Sequence, residues 1–118
     1  MRKLLDNEKE LISQILSKSK IEFKICTDIS EMYVVDLDDG GMGSIEFCNG
    51  QGSRDFGTAI LNAIAYDVDN RKVMIEISID SEGYLYQLDA FTEDYLPLKA
   101  SLGTSLKITD FSSPPIYE

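Results

Sequence analysis

The sequence has 118 residues, with 21 acidic side chains, 11 basic side chains and no histidine, and its formal net charge is −10 at pH 7. This length suits one domain with one core, and the missing histidine excludes Ser-His or Cys-His catalysis and imidazole-ligated zinc. The negative charge opposes contact with phosphate backbones, so no nucleic acid is expected as a partner. No apolar run approaches the roughly 18 residues of a membrane span, so no membrane partner is expected.

The first 20 residues have the pattern of an amphipathic helix. Asn7 is a suitable N-cap because Glu10 follows three residues later. Lys18 and Lys20 complement the negative end of the helix dipole. Four apolar residues recur at helical spacing on one face: Leu11, Ile12, Ile15 and Leu16.

A period of two, typical of β-strands, begins at Ile21. Residues 21–25 alternate, and the apolar run at 32–37 ends in the acidic and glycine-rich residues 38–41, which predict a hairpin turn. The partner strand carries Ile45 and Phe47. Residues 49–58 are rich in glycine and polar side chains and are expected to form a surface loop.

Alternation resumes at residues 64–68 and continues through two further strands at 73–79 and 84–90, separated by tight turns at 69–71 and 80–83. Such short connections require antiparallel pairing, so these three strands form a meander. The expected polar face carries Glu76, Ser78, Asp80, Gln87 and Asp89. The aromatic residues expected in the core are Phe23, Phe47, Tyr66 and Tyr84.

We therefore predict an α+β fold in which an N-terminal amphipathic helix packs on an antiparallel meander sheet. After Pro97 only a short segment at 106–108 has strand character, and the Ser-Ser-Pro-Pro run at 112–115 cannot continue a sheet. The predicted organisation is a single domain at residues 1–111 and an extended tail at 112–118.

The acidic turn at 36–39 invites a calcium interpretation, but its spacing fails the EF-hand pattern, with Gly40 and Phe47 at positions that need ligands. Residues 78–89 match that pattern better, yet strands rather than helices flank them. Residues 40–44 lack the lysine of a phosphate-binding loop. The sequence therefore predicts no metal and no cofactor.

The two cysteines, Cys26 and Cys48, are 22 residues apart and form neither a redox pair nor a zinc set. Acidic residues follow Met1 to Leu5 at once, so no signal peptide is expected. We therefore expect reduced thiols and a cytoplasmic protein.

Three stretches resemble a family of small bacterial domains of unknown function. They are the Asp-Gly-Gly-Met-Gly-Ser run at 39–44, the Asp-Ser-Glu-Gly-Tyr-Leu-Tyr-Gln-Leu-Asp-Ala-Phe run at 80–91 and Asp-Tyr-Leu-Pro-Leu at 94–98. The resemblance spans roughly residues 2–98 and implies a small α+β domain without an established activity. The sequence departs from the family pattern at Asn70, Gln87, Phe91 and Thr92.

The charge is unevenly distributed along the chain. Residues 1–24 hold six basic and four acidic groups, a sum of +2, so residues 25–118 carry −12. The small acidic chain also resembles immunity proteins that mask secreted toxins. A basic protein partner is therefore our hypothesis, because opposite charge accelerates association, and the chain itself is expected to be a monomer or a homodimer.

The candidate binding residues are acidic side chains of turns and outward strand positions: Asp38, Asp39, Asp67, Asp69, Asp80, Asp89, Glu93 and Asp94. The alternative is a carboxylate-based enzyme or a module for a small ligand or metal. Paired carboxylates would then supply an acid and a base with separated pKa values. No pair stands out, so we predict no enzymatic activity.

Overall fold

A computed structural model describes residues 1–25, 27–38, 43–48, 55–94 and 107–113, which contain one α-helix and an antiparallel sheet of seven strands. The helix is α1 (Asp6–Leu16). The strands are β1 (Arg2–Lys3), β2 (Tyr33–Asp36), β3 (Ile45–Phe47), β4 (Phe56–Tyr66), β5 (Lys72–Asp80), β6 (Leu85–Thr92) and β7 (Lys107–Ser112). The predicted α+β class and antiparallel sheet are confirmed.

The sheet consists of two meanders that meet at their third strands. Its strand order is β1-β2-β3-β6-β5-β4-β7, so the predicted meander of β4, β5 and β6 is confirmed. Pairing of Ile45 with Leu88 joins it to the meander of β1, β2 and β3. The strand β7 pairs with β4 at the opposite edge.

The helix begins differently from the sequence prediction, which placed the N-cap at Asn7. Leu5 is the N-cap, and its backbone N–H donates to Oε1 of Glu8 at 2.8 Å, so Glu8 takes the role expected for Glu10. The two residues of β1 pair with β2 and keep the start of the chain out of the helix. A pairing between residues 32 positions apart leaves no local sequence signal.

The segment after α1 also departs from the prediction. The helix ends at Leu16, and its last turn contains no basic side chain, so Lys18 and Lys20 lie beyond it. Residues 21–25 form an isolated bridge between Lys24 and Tyr84 rather than a strand. In this bridge the N–H of Lys24 donates to the carbonyl of Gly83, and the N–H of Leu85 donates to the carbonyl of Lys24, both at 2.9 Å.

The strand β4 begins earlier than expected, at Phe56, and buries a different face. Its pairing with β5 sets Ala63 opposite Ile75, which turns the alanines of β4 toward the core. Tyr66 is therefore exposed, and its prediction as a core residue is wrong. Residues 49–54 of the predicted loop at 49–58 lie outside the described residues, and residues 56–58 belong to β4.

The predicted polar face is correct only in part. Ser78 and Asp80 are buried, whereas Glu76, Gln87 and Asp89 are half-buried. A register shift between Ser78 and Ile79 interrupts the alternation at the end of β5.

The core is one cluster to which both helix and sheet contribute. The helix contributes apolar side chains of α1 that the sequence predicted to share one face: Leu11, Ile12 and Ile15. Phe47 is fully buried within the cluster, as predicted. Phe23 is partly exposed and packs against the cluster.

The chain beyond β7 is described only through residue 113. Ser113 Oγ donates to the carbonyl of Ile60 at 2.8 Å and accepts the backbone N–H of Lys20 at 2.8 Å. The division into a domain at 1–111 and a tail at 112–118 stays a prediction. No helix in the described part of the chain has the length and apolar character needed to cross a bilayer.

Candidate functional site

One arginine gathers three of the predicted acidic residues at one end of the sheet. The guanidinium of Arg71 lies 3.1 Å from Asp67 Oδ2, 2.8 Å from Asp69 Oδ2 and 2.8 Å from Asp94 Oδ1. Asp67 and Asp69 belong to the turn between β4 and β5, and Asp94 follows β6. We call this group, together with the adjacent exposed Glu93, the acidic end.

The turn between β4 and β5 determines where these side chains lie. The N–H of Asn70 donates to the carbonyl of Asp67 at 2.9 Å, and Asn70 has a φ of 67°. Asparagine tolerates this left-handed conformation better than most residues. The turn returns Arg71 alongside Asp67, whose N–H donates to the carbonyl of Arg71 at 2.9 Å.

The three aspartates differ in accessibility. The Asp67 side chain is fully buried and also accepts the backbone N–H of Val68 at 2.7 Å, so it stabilises the turn. The side chains of Asp69 and Asp94 remain 33% and 40% exposed while they bind Arg71. These two carboxylates therefore remain partly accessible to solvent.

The electrostatics of the acidic end favour a charged arginine and a negative surface. Desolvation lowers the pKa of Arg71, but hydrogen bonds to Asp94 and Asp69 together raise it above its ordinary value. Three carboxylates and one guanidinium leave a formal charge of −2, to which Glu93 adds another negative charge. The N–H of Glu93 donates to the carbonyl of Lys72 at 3.0 Å, which places Glu93 beside the start of β5.

The other predicted acidic residues lie elsewhere. Asp80 is buried at the far end of β5, where its Oδ1 accepts the backbone N–H groups of Glu82 and Tyr84, both at 2.9 Å. Asp89 lies half-buried on β6, and Asp38 is exposed after β2. Asp39 lies outside the described residues.

Arg2 forms a second ion cluster that joins three elements of the fold. Its guanidinium binds both carboxylate oxygens of buried Glu8, at 2.7 and 2.9 Å, and both oxygens of Asp36, at 3.0 and 2.9 Å. Hydrogen bonds from Arg2 hold the pKa of Asp36 below its ordinary value. The hydrogen bonds between Arg2 and Glu8 are the main cause of a raised pKa of Arg2, and the hydrogen bonds to Asp36 raise it further. This cluster ties β1, α1 and β2 together.

A groove on the sheet was not predicted from the sequence. It has a volume of about 640 Å³ and lies over β4, β5, β6 and β7. Its lining includes the apolar residues Ile64, Met74 and Phe91, one from each of three neighbouring strands. The sequence signal that could have revealed the groove was an apolar residue at an outward position in each of three neighbouring strands. Among the described residues, no group of three or more acidic or cysteine side chains is placed to hold a metal ion.

The family model described as a domain of unknown function, DUF6984, matches residues 1–101. The chain belongs to this family. Membership in DUF6984 is consistent with the expectation of a family of unknown function. The DUF6984 match includes the acidic end but stops before β7, so the β7 side of the groove lies beyond it. No curated protein and no solved structure matches the chain.

Proposed function

We propose that this member of DUF6984 is a small cytoplasmic binding domain whose acidic end engages a basic protein. An immunity-type role, in which that partner is a toxin the domain masks, is the specific form of the proposal. The observation that carries it is the exposure of Asp69, Glu93 and Asp94 together at one end of the sheet.

The geometry supports binding because Arg71 holds two of these carboxylates in fixed positions before any partner arrives. A carboxylate that is already ordered loses little conformational entropy on association. Arg71 neutralises only part of the local charge, so the surface still attracts cations. Complementary charge of this kind increases the association rate more than it increases the affinity.

The fold supports this arrangement through a division of roles. In the proposal, α1 packs on the buried face of the sheet, and the turn between β4 and β5 presents the acidic end. The shared core cluster supports that placement of the helix. Buried Asp67 stabilises the turn, and the three exposed carboxylates meet the partner.

The experiment compares two variants with the same change in charge. The first, Asp69→Asn/Glu93→Gln/Asp94→Asn, neutralises the acidic end. The matched control neutralises three exposed carboxylates elsewhere: Asp6→Asn, Glu10→Gln and Glu22→Gln. Each protein is immobilised and exposed to a lysate of the source cells at low salt, and bound proteins are eluted with a salt gradient.

We expect the wild type and the control to retain the same basic protein, which elutes with rising salt, and the acidic-end variant to lose it. Equal retention by both variants would show that the acidic end is not the binding surface. Retention that does not respond to salt would contradict the electrostatic mechanism.

A further inference from the structure

The groove lies on the face of the sheet opposite the core cluster. In antiparallel sheets, directly paired residues point to the same face. Ile64 pairs with Met74, and Met74 pairs with Phe91, so their side chains form one row across β4, β5 and β6. The intervening residues of β5, Val73 and Ile75, are buried on the other face.

This row remains accessible at the centre of the sheet. Met74 is 39% exposed and Phe91 is 40% exposed, and Ile64 between β5 and β7 is half-buried. Polar residues are the usual occupants of an exposed sheet face. A contiguous apolar row rimmed by polar groups is typical of an interaction site.

The rim of the groove is negative. Asp110 lies directly opposite Ile64, and Glu76 lies directly opposite Asp89. Glu76, Asp89 and Asp110 carry three negative charges and Lys72 carries one positive charge, so these four residues have a formal charge of −2. Such a rim favours a partner that carries cations beside its apolar side chains.

The groove is also continuous with the acidic end. Lys72 follows Arg71 in sequence, and Phe91 on β6 precedes Glu93 by two residues. A partner bound at the acidic end can therefore extend over the row without leaving the surface.

We propose that the groove binds an extended segment of the basic partner in which lysine or arginine alternates with aliphatic residues. The aliphatic side chains contact Met74 and Phe91, and the cations lie along Glu76 and Asp110. This inference rests on the proposed function, because it assumes the same basic partner.

The test uses two synthetic octapeptides of equal charge, one of alternating lysine and leucine and one of alternating lysine and serine. Their binding to the full chain is measured by fluorescence anisotropy at low salt. The variant is Phe91→Ser. The matched control is Val35→Ser, because Val35 is 39% exposed and its pairing with Glu46 places it on the same face outside the groove.

We expect the lysine-leucine peptide to bind the wild type at least about tenfold more tightly than the lysine-serine peptide. Phe91→Ser should remove that advantage, and Val35→Ser should retain it. In the wild type, the methyl resonances of Met74 and Ile64 should shift when the lysine-leucine peptide is added.

Equal affinities of the two peptides would overturn the groove proposal and leave the proposed function standing, since both peptides would then bind through charge alone. Failure of both peptides to bind would count against both proposals. Sedimentation that shows a wild-type dimer and a Phe91→Ser monomer would assign the groove to a second copy of the chain and overturn the proposal.

Discussion

At the residue scale, buried carboxylates account for much of the difference between sequence and structure. Alternation in a strand predicts that Asp80 points to solvent, and nothing in the local pattern marks Asp67 or Glu8 as buried. Each is buried because donors satisfy it: backbone N–H groups for Asp80, and a guanidinium together with backbone N–H groups for Asp67 and Glu8. Burial of a charge is tolerated when hydrogen bonds and an opposite charge compensate it.

Gly57 provides the first prediction. A Cβ atom at this position would lie closer than 3.0 Å to the backbone carbonyl of Asp80, so β4 and β5 would have to separate. Gly57→Ala should lower the free energy of unfolding by about 1–3 kcal/mol. Urea denaturation measures the change, with Thr58→Ala on the same strand as a control expected to cost less than about 1 kcal/mol. Equal losses in the two variants would contradict this close approach.

Asp67 provides the second prediction. Asp67→Asn removes the negative charge from the buried bond to Arg71 and should lower the free energy of unfolding by about 1–3 kcal/mol. Asp69→Asn should cost less than about 1 kcal/mol, because that ion pair is partly exposed to solvent. Thermal and urea denaturation of both variants distinguish the roles. A larger loss for Asp69→Asn would show that the turn depends on the exposed carboxylate instead.

At the scale of elements, the helix and the hairpins were predictable because their signals are local. The periodicity of Leu11, Ile12 and Ile15 indicates the helix, and the acidic and glycine-containing turn at 80–83 indicates the hairpin of β5 and β6. The strand β1 was not predictable, because it consists of two residues that depend on β2. The pairing of β3 with β6 likewise depends on strands that are distant in the sequence.

The junction of β1, α1 and β2 gives a prediction about pH. Because Arg2 lowers the folded-state pKa of Asp36, this pair stabilises the fold above the unfolded pKa of about 3.9 and loses its effect as the pH falls through the folded pKa. Asp36 is largely exposed, so Asp36→Asn should cost less than about 1 kcal/mol at neutral pH. The difference from wild type should decrease as the pH falls below the unfolded pKa of about 3.9.

Urea denaturation between about pH 3 and pH 7 measures this difference. In an Arg2→Gln background, Asp36→Asn should have little effect at any pH, since its partner is gone. A wild-type advantage that persists unchanged to pH 3 would contradict the assignment of the effect to the Asp36 carboxylate.

At the scale of the whole molecule, the sequence predicted that acidic charge lies after residue 24 but not how it is grouped. The fold brings Asp69, Glu93 and Asp94 together although β5 and β6 separate them in the chain. Asp80, which the sequence also predicted as a site residue, is buried at the end of β5 that lies away from the acidic end. The groove was missed because its apolar row exists only across strands, and each strand contributes a single residue to it.

The most direct test of the central claim is the association rate constant for the basic protein retained by the wild type, measured at salt concentrations from about 20 to about 300 mM. The wild type and the Asp6, Glu10 and Glu22 control should show a rate that falls at least about tenfold over this range. The acidic-end variant should associate slowly at low salt and respond weakly to salt. A wild-type rate that is independent of salt, or an equal response from both variants, would contradict the account.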